Sequence, residues 1–430
     1  MDTSLKAGMS PSLALLTLKR LTPEGHTVRI INENNHRIDW DWPAELVGVT
    51  VTVDVFARAS EIAARFRAKG VKVVAGGIHA TACPESFATS FDAVCVGRAE
   101  ASWAAMLRDA EAGALKPVYR DDFSNPAICP PDYSGAGADS LFTNVVCASR
   151  GCPMRCGFCH NSSPGAVPLI NRPVAEVLGD LRAIGGRHFL FIDDNFIGDP
   201  RWTEKFLRAV VPLKLKWGAA VSANILDMPG LMDLMAESGC QSLFIGFETL
   251  NQSALDAVGK HQNRAARFAE LARELHGRGI MVNASVVFGL PGDDAGVFKR
   301  TLDWLVANKI ETATAHIMTP YPGTPLHARM RAEGRITETD LSHYDTAHVV
   351  FTPENMGADE LMAGYLWFYK ELYSFRNILR RFPAHRRQRA AYVCFNLFYR
   401  KFGRVTAVFS RMIPRRVIGK FAAWVSYRVF

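Results

Sequence analysis

Three cysteines, Cys152, Cys156 and Cys159, fall within eight residues of ASRGCPMRCGFCHNSS, in the pattern Cys-x3-Cys-x2-Cys. Thiolates are soft ligands, and Gly151, Pro153 and Gly157 loosen the loop that carries them. Three such thiolates can ligate three irons of a [4Fe–4S] cluster and leave the fourth iron without a protein ligand, which makes that iron a reactive site. Two rival readings share the residues. Cys156-Gly-Phe-Cys159-His160 has the form of a Cys-x-x-Cys-His haem attachment motif, and Cys-x-x-Cys alone suits a dithiol or half of a zinc site. Haem attachment normally accompanies export, and no export signal is seen. A structural zinc needs a second ligand pair, and none follows within the next 80 residues.

The elements that must position this loop are those of an α/β protein. The chain has 430 residues, 48% hydrophobic and 21% charged, which excludes disorder and low-complexity classes. Residues 26–34, 46–53, 71–77 and 93–97 are short β-branched runs with helical patterns between them, as in a parallel sheet with crossovers. Residues 119–140 are rich in Pro, Gly, Asp and Ser and read as a linker. From 141 to about 330 six strand-then-helix units follow, too few for a closed eight-fold barrel, so a partial (β/α)6 barrel is expected with the cysteines just after its first strand. Residues 331–430 read as a helical extension.

Charge is distributed unevenly. No acid follows Glu371, and residues 372–430 hold 14 Lys or Arg, against 36 basic and 42 acidic residues in the rest. Basic charge confined to one end argues against a nucleic-acid binder. The aromatic, Arg-rich stretches YVCFNLFYRKFGRV and RRVIGKFAAWVSYRVF read as helices lying on an anionic membrane surface, at its inner face, as helices that cap the barrel, or as a segment that binds an anionic or lipid-like substrate over the barrel mouth. With nine clustered cysteines, no secretory leader and no apolar run near the roughly 20 residues that cross a bilayer, the expected compartment is the cytoplasm.

Cys-x3-Cys-x-aromatic-Cys after the first strand of such a barrel resembles the radical S-adenosylmethionine (SAM) enzymes, with Phe158 as the aromatic residue. The resemblance implies that SAM chelates the open iron, is cleaved to a 5′-deoxyadenosyl radical, and lies across the C-terminal ends of the strands. It implies an electron donor such as flavodoxin or ferredoxin. Asp193, Asp194 and Asn195 close strand two, where the family places acceptors for the methionine ammonium; Ser222 and Asn224 close strand three; Glu248 closes strand four, within reach of ribose hydroxyls. Gly289 to Gly292 would let the backbone approach the adenosine. Taken singly, each of these residues also reads as a helix cap or a turn residue.

Residues 1–118 resemble the cobalamin-binding, doubly wound (Rossmann-like) domain found ahead of the barrel in one branch of that family, on VGVTVTV, the AGGIHAT turn with Gly76, Gly77 and His79, and VGRAE. No Asp-x-His-x-x-Gly offers a lower axial ligand, and His79 reads equally as a turn residue bonded to backbone. The first strand of the 2-1-3-4-5 order is not found, so either the start lies downstream of the true one or the domain is a vestigial scaffold. The reaction implied is cobalamin-dependent methylation of an unactivated carbon, or a phosphorus centre, in a small-molecule or lipid-like substrate. The alternatives are a cobalamin-free cyclase, epimerase or dehydratase, and a non-catalytic redox module.

The cysteine reading yields a direct expectation. The C152A/C156A/C159A triple variant, reconstituted anaerobically, should lose cluster iron, sulfide and the broad visible charge-transfer absorbance. Full iron and sulfide content in that variant would refute the assignment.

Overall fold

The computed structural model describes residues 10–33, 36–134 and 144–400. After helix α1 (Leu13–Leu21), strands β1 (Leu46–Thr50), β2 (Lys72–Gly76), β3 (Ala93–Val96) and β4 (Val118–Arg120) form a parallel sheet in the order β1-β2-β3-β4. Parallel neighbours require crossovers, here α2 (Phe56–Arg67), α3 (Ile78–Ala82) and α4 (Trp103–Glu111). Every residue of β3 is buried, so its apolar run is continuous rather than alternating.

Two elements differ from expectation. Residues 26–33 form no strand despite their β-branched content, and Val28 and Ile30 are exposed. A strand exists only by pairing, and among the described residues β1 is the sheet edge on that side. Asn34, the last residue of that run, lies outside the described residues. Conversely, Val118–Arg120 pairs with β3, too short a run to stand out in the sequence. It carries the chain to Asp121, whose carboxylate accepts from Arg98 Nε (2.5 Å) and Nη2 (3.2 Å) in a pair almost wholly buried. Arg98 also donates to the carbonyls of Asn125 and Ala127, so one guanidinium ties the Pro-rich segment to the end of β3.

The second sheet is an open row of six parallel strands, β12-β11-β10-β9-β8-β5. They are β5 (Val145–Val146), β8 (His188–Phe191), β9 (Lys216–Ser222), β10 (Cys240–Glu248), β11 (Met281–Phe288) and β12 (Thr312–Ile317). Helices α5 (Val174–Ile184), α6 (Pro200–Val210), α7 (Pro229–Glu237), α8 (Gln252–Ala257), α9 (Phe268–Gly277) and α10 (Val297–Ala307) connect them. Between β5 and α5 a small antiparallel ribbon, β6 (Ser149–Arg150) with β7 (Ile170–Asn171), brackets the cysteine loop. Phe191, Phe206, Trp217, Phe247, Phe268 and Phe288, all nearly inaccessible, share one core under this sheet.

Beyond β12, α11 (Pro325–Ala332) turns back toward the cysteine loop, and α12 (Ala358–Leu372), α13 (Phe375–Arg380) and α14 (Arg389–Arg400) cover the outer edge. The hydroxyls of Tyr369 on α12 and of Tyr373, its C-terminal cap, exchange hydrogen bonds with the backbone of Ala315 and Ala313 on β12. Side chains thus satisfy an edge that would otherwise template another strand. Residues 401–430, which include all of RRVIGKFAAWVSYRVF and the end of the preceding basic stretch, lie outside the described residues. Among the described residues no helix is long and apolar enough to cross a membrane.

Candidate active site

The cysteine loop is gripped from three directions. At its base, Gly151 N–H donates to Asp194 Oδ2 (2.9 Å), with Gly151 at φ +76° and so close to the Val167 and Pro168 carbonyls that a Cβ would lie 2.4 Å from each. Gly157 N–H donates to the Val258 carbonyl (2.8 Å), just beyond α8, and its own carbonyl accepts from Leu326 N–H (2.9 Å), at the start of α11. Arg150, next to Gly151, pairs with Glu100 of the first sheet's β3–α4 turn at 2.9 Å.

Cys156 is buried, and Cys152 and Cys159 are half-buried. Burial holds all three thiols above the usual cysteine range, partly offset at Cys156 by Lys260 and by the Gln262 amide, whose Nε2 lies 3.7 Å from Sγ. Among the described residues no three His, Cys, Asp or Glu side chains are drawn into a ready-made cage. Three soft donors on one loop, with no fourth cysteine in it, nonetheless suit a cluster held through three irons, since ligation replaces each thiol proton with iron.

At the strand ends, Asp193 accepts from Ser149 Oγ (2.6 Å), Ala148 N–H (3.3 Å) and Ser149 N–H. It is fully buried there, which pushes its carboxyl up to about 6 against those hydrogen bonds. Asp193 therefore staples the turn before the cysteines to the end of β8. Asp194 takes Gly151 with one oxygen and leaves the other 3.7 Å from His160 Nε2. Asn195, Ser222 and Asn224 form a chain: Asn195 Nδ2 donates to Ser222 Oγ (3.2 Å), which donates to Asn224 Oδ1 (2.5 Å). Glu248 ends β10 in the left-handed region, φ +64°, uncommon without glycine, after a register slip beyond Gly246. It pairs with Lys260, whose ammonium burial disfavours but Glu248 and the neighbouring cysteines hold above the usual lysine range. Lys260 Nζ in turn sits 5.8 Å from the Phe158 ring centre. Phe158, Asp193, Asp194, Asn195, Ser222, Asn224 and Glu248 thus share the cysteine loop's end of the sheet.

Three expected residues behave differently. Gly289 is at φ +85°, but its bare side faces Leu361 (2.9 Å) and Phe351 (3.0 Å), so the C-terminal layer, not an approaching ligand, demands the glycine. Gly292, at φ +80°, donates its N–H to Glu354 on the surface (3.0 Å). His79 is turned away from the strand ends into the core, its ring packed against Phe56 (5.2 Å) and Phe87 (5.3 Å) with neither nitrogen bonded. It is neither a ligand on the crevice nor a backbone-bonded turn residue.

Gly76 and Gly77, by contrast, line a cavity of about 350 Å³ between the two sheets. Gly77, at φ +103°, lets the turn after β2 press against Val51, where a Cβ would meet the backbone at 2.8 Å. Across the cavity stand Gly151, His160 and Asn161 of the cysteine loop, and α1 closes one side through Leu13, Thr17 and Leu18. Sequence reasoning missed Lys260, Gln262, Glu100 and Arg172. The polar run Lys260-His261-Gln262-Asn263 after α8 was a visible signal, and Glu100 closes the VGRAE run, whereas nothing local marks Arg172.

Residues 146–305 match the family model of the Radical SAM superfamily. The chain carries a radical SAM domain, and it is a radical SAM enzyme. Residues 324–410 match a domain of unknown function, DUF4070. Over most of its length the chain is similar to methyltransferases. Bacteriochlorophyllide d C-12(1)-methyltransferase of Chlorobaculum tepidum is 29% identical over 78% of this chain and 76% of its own. Bacteriochlorophyllide d C-8(2)-methyltransferase of the same organism is 27% identical, covering 86% and 87%. The fold is that of the radical SAM methyltransferase TsrM from Kitasatospora setae, solved with cobalamin and a [4Fe-4S] cluster, at TM-score 0.61 and 18% identity over 76% of this chain and 75% of that one.

The turn after β11 gives a pH signature. Asp293 accepts from Gly289 and Leu290 N–H (3.0 Å each), and burial raises its carboxyl to about 7. Because the folded pKa lies above the unfolded one, the folded state keeps a proton that the unfolded chain releases between about pH 4 and 7. Stability present below that window is lost as pH rises through it, at up to about 1.4 kcal/mol per pH unit. Denaturant melts of the D293N variant, whose amide oxygen still accepts, should lack this component; equal pH slopes in both proteins would contradict the assignment.

Proposed function

We propose that this radical SAM enzyme is a cobalamin-dependent methyltransferase acting on an unactivated centre of an apolar small-molecule or lipid-like substrate. The observation that carries the reading is the cavity with the glycine-rich ends of the first sheet on one wall and the cysteine loop on the other. When bound, the cluster and SAM supply a hydrogen-abstracting 5′-deoxyadenosyl radical, and cobalamin supplies a transferable methyl group. Such chemistry suits a carbon with no acidifying neighbour, where no side-chain base can remove a proton.

Within this reading Cys152, Cys156 and Cys159 hold the cluster, and Phe158 with Lys260 covers one flank. Asp194, Asn195, Ser222, Asn224 and Glu248 present polar atoms at the strand ends to the amino, carboxylate and ribose groups of SAM. Asp193 positions the loop, since its oxygens are already bonded to Ser149 and Ala148. Gly76 and Gly77 keep the sheet end flat enough for a large planar ligand. His79 supplies no axial ligand from where it lies. An external one-electron donor of the flavodoxin or ferredoxin kind delivers the reducing electron. Both bacteriochlorophyllide relatives, by their names, methylate bacteriochlorophyllide d, at C-12(1) and at C-8(2), which makes that compound a suitable probe.

Anaerobic incubation of the reconstituted chain with SAM, cobalamin, reductant and that probe, followed by mass analysis, should give S-adenosylhomocysteine, 5′-deoxyadenosine and a product heavier by one methylene. 5′-Deoxyadenosine without S-adenosylhomocysteine would contradict methyl transfer and favour cobalamin-free radical chemistry.

A further inference from the structure

Helices α12 and α13 seal the edge of the second sheet with one face and leave the other bare. On α12 the buried side is Leu361, Tyr365, Phe368 and Leu372. Helical spacing sends Leu366, Trp367 and Lys370 to the opposite side, and all three are exposed. On α13, Asn377 and Ile378 are buried, while exposed Phe375 and Leu379, one turn apart, lie beside exposed Arg376 and Arg380, also one turn apart. The three most exposed large apolar side chains among the described residues, Leu379 at 72%, Leu366 at 59% and Phe375 at 54%, are all here. Scattered singly they would need no explanation, but here they are grouped among cations. The Arg400 guanidinium, at the end of α14, lies 3.5 Å from the Phe375 ring centre, and exposed Arg386 and Arg387 follow α13.

We infer that this face docks on a bilayer surface that bears anionic lipid. Apolar side chains interleaved with Arg and Lys suit the boundary between headgroups and acyl chains, where the former are buried and the latter meet lipid phosphates. Charge decides against the chain's own tail as the occupant. No acid follows Glu371, and residues 401–430 add seven Lys or Arg of the same sign, so the tail cannot neutralise the face. A nucleic acid would take the arginines but leave Leu366, Phe375 and Leu379 with nothing apolar to cover them. Position decides against an electron donor. Arg381 donates to the carbonyls of Ile310 and Glu311, and His385 and Gln388 bond those of His276 and Gly279, so α13 and the turn after it sit at the N-terminal ends of the strands. The cysteine loop is at the other end of this sheet, whose strand β11 has 8 residues and so runs for roughly 25 Å. Docking by this face keeps the cysteine-loop end directed away from the lipid. The inference goes beyond the reaction proposed above and does not depend on it.

The full-length chain is sedimented with vesicles of phosphatidylcholine alone and with vesicles that also carry phosphatidylglycerol. It should pellet with the anionic vesicles and not with the neutral ones, and less so as salt rises. Affinity for the anionic vesicles should fall about a hundred-fold or more in R376Q/R380Q/R386Q/R387Q, and about ten-fold in L366S/L379S. Every changed side chain is exposed, so both variants should melt at the wild-type temperature. No pelleting of wild type, equal pelleting with both kinds of vesicle, or variants that bind like wild type would overturn the inference. Loss in the arginine variant alone would mark a site for any polyanion, and binding lost together with a lowered melting temperature in both variants would assign these side chains to the fold. Either result overturns it as well.

Discussion

Two adjacent carboxylates at the end of β8 determine where the cysteine loop can be. Asp193 bonds the backbone at Ala148 and Ser149, and Asp194 bonds Gly151, so three of the four residues leading into Cys152 are fixed to one strand end. A cluster held through only three irons depends on such external fixing, because the loop has no fourth thiolate to close it. The grip at Gly157, between Val258 and Leu326, holds the other side. Residues that sequence reasoning assigned to the methionine end of SAM are thus first of all the frame of the cysteine loop. Asp194 keeps one oxygen free of that task, and Asp193 does not.

The same frame joins the two sheets. Arg150, immediately before Gly151, pairs with Glu100, whose carboxylate also accepts from Cys129 N–H in the Pro-rich segment. Gly165 of the cysteine loop packs against Thr81, and Gly323 against Ala82, so α3 of the first sheet is in contact with both the loop and the turn after β12. The cavity follows from these contacts: its walls are the strand ends of one sheet and the cysteine loop of the other, and a group bound in it lies beside Gly151, His160 and Asn161. Substitutions at Glu100 or Arg150 therefore act on both sites at once.

How much of this was legible in sequence depends on range. Cys152, Cys156, Cys159 and Phe158 lie within one loop, so their spacing was readable without any knowledge of the fold. The strand-end positions of Asn195, Ser222, Asn224 and Glu248 were legible because a parallel sheet brings the C-terminal end of every strand to one edge. Long-range partners were not legible: Lys260 meets Glu248 across 12 residues, Gln262 meets Cys156 across 106, and Arg172 reaches the cavity only through folding. Glycines misled where positive φ serves packing, as at Gly289, whose neighbours Phe351 and Leu361 come from a layer with no counterpart in the local pattern. His79 misled because a polar residue in a Gly-rich turn looked like a ligand, although its ring completes an aromatic core. The run at 26–33 misled because strand propensity says nothing about whether a partner edge exists.

The central claim is that the cavity and the metal loop form one continuous site. Electron paramagnetic resonance of the chain loaded with both cob(II)alamin and the one-electron-reduced cluster tests it most directly, since neighbouring spins broaden and split each other's signals. The account predicts a spectrum that differs from the sum of the two singly loaded samples, and that falls back to the cob(II)alamin signal alone when Cys152, Cys156 and Cys159 are replaced. Two independent, simply additive signals from fully loaded protein would contradict it.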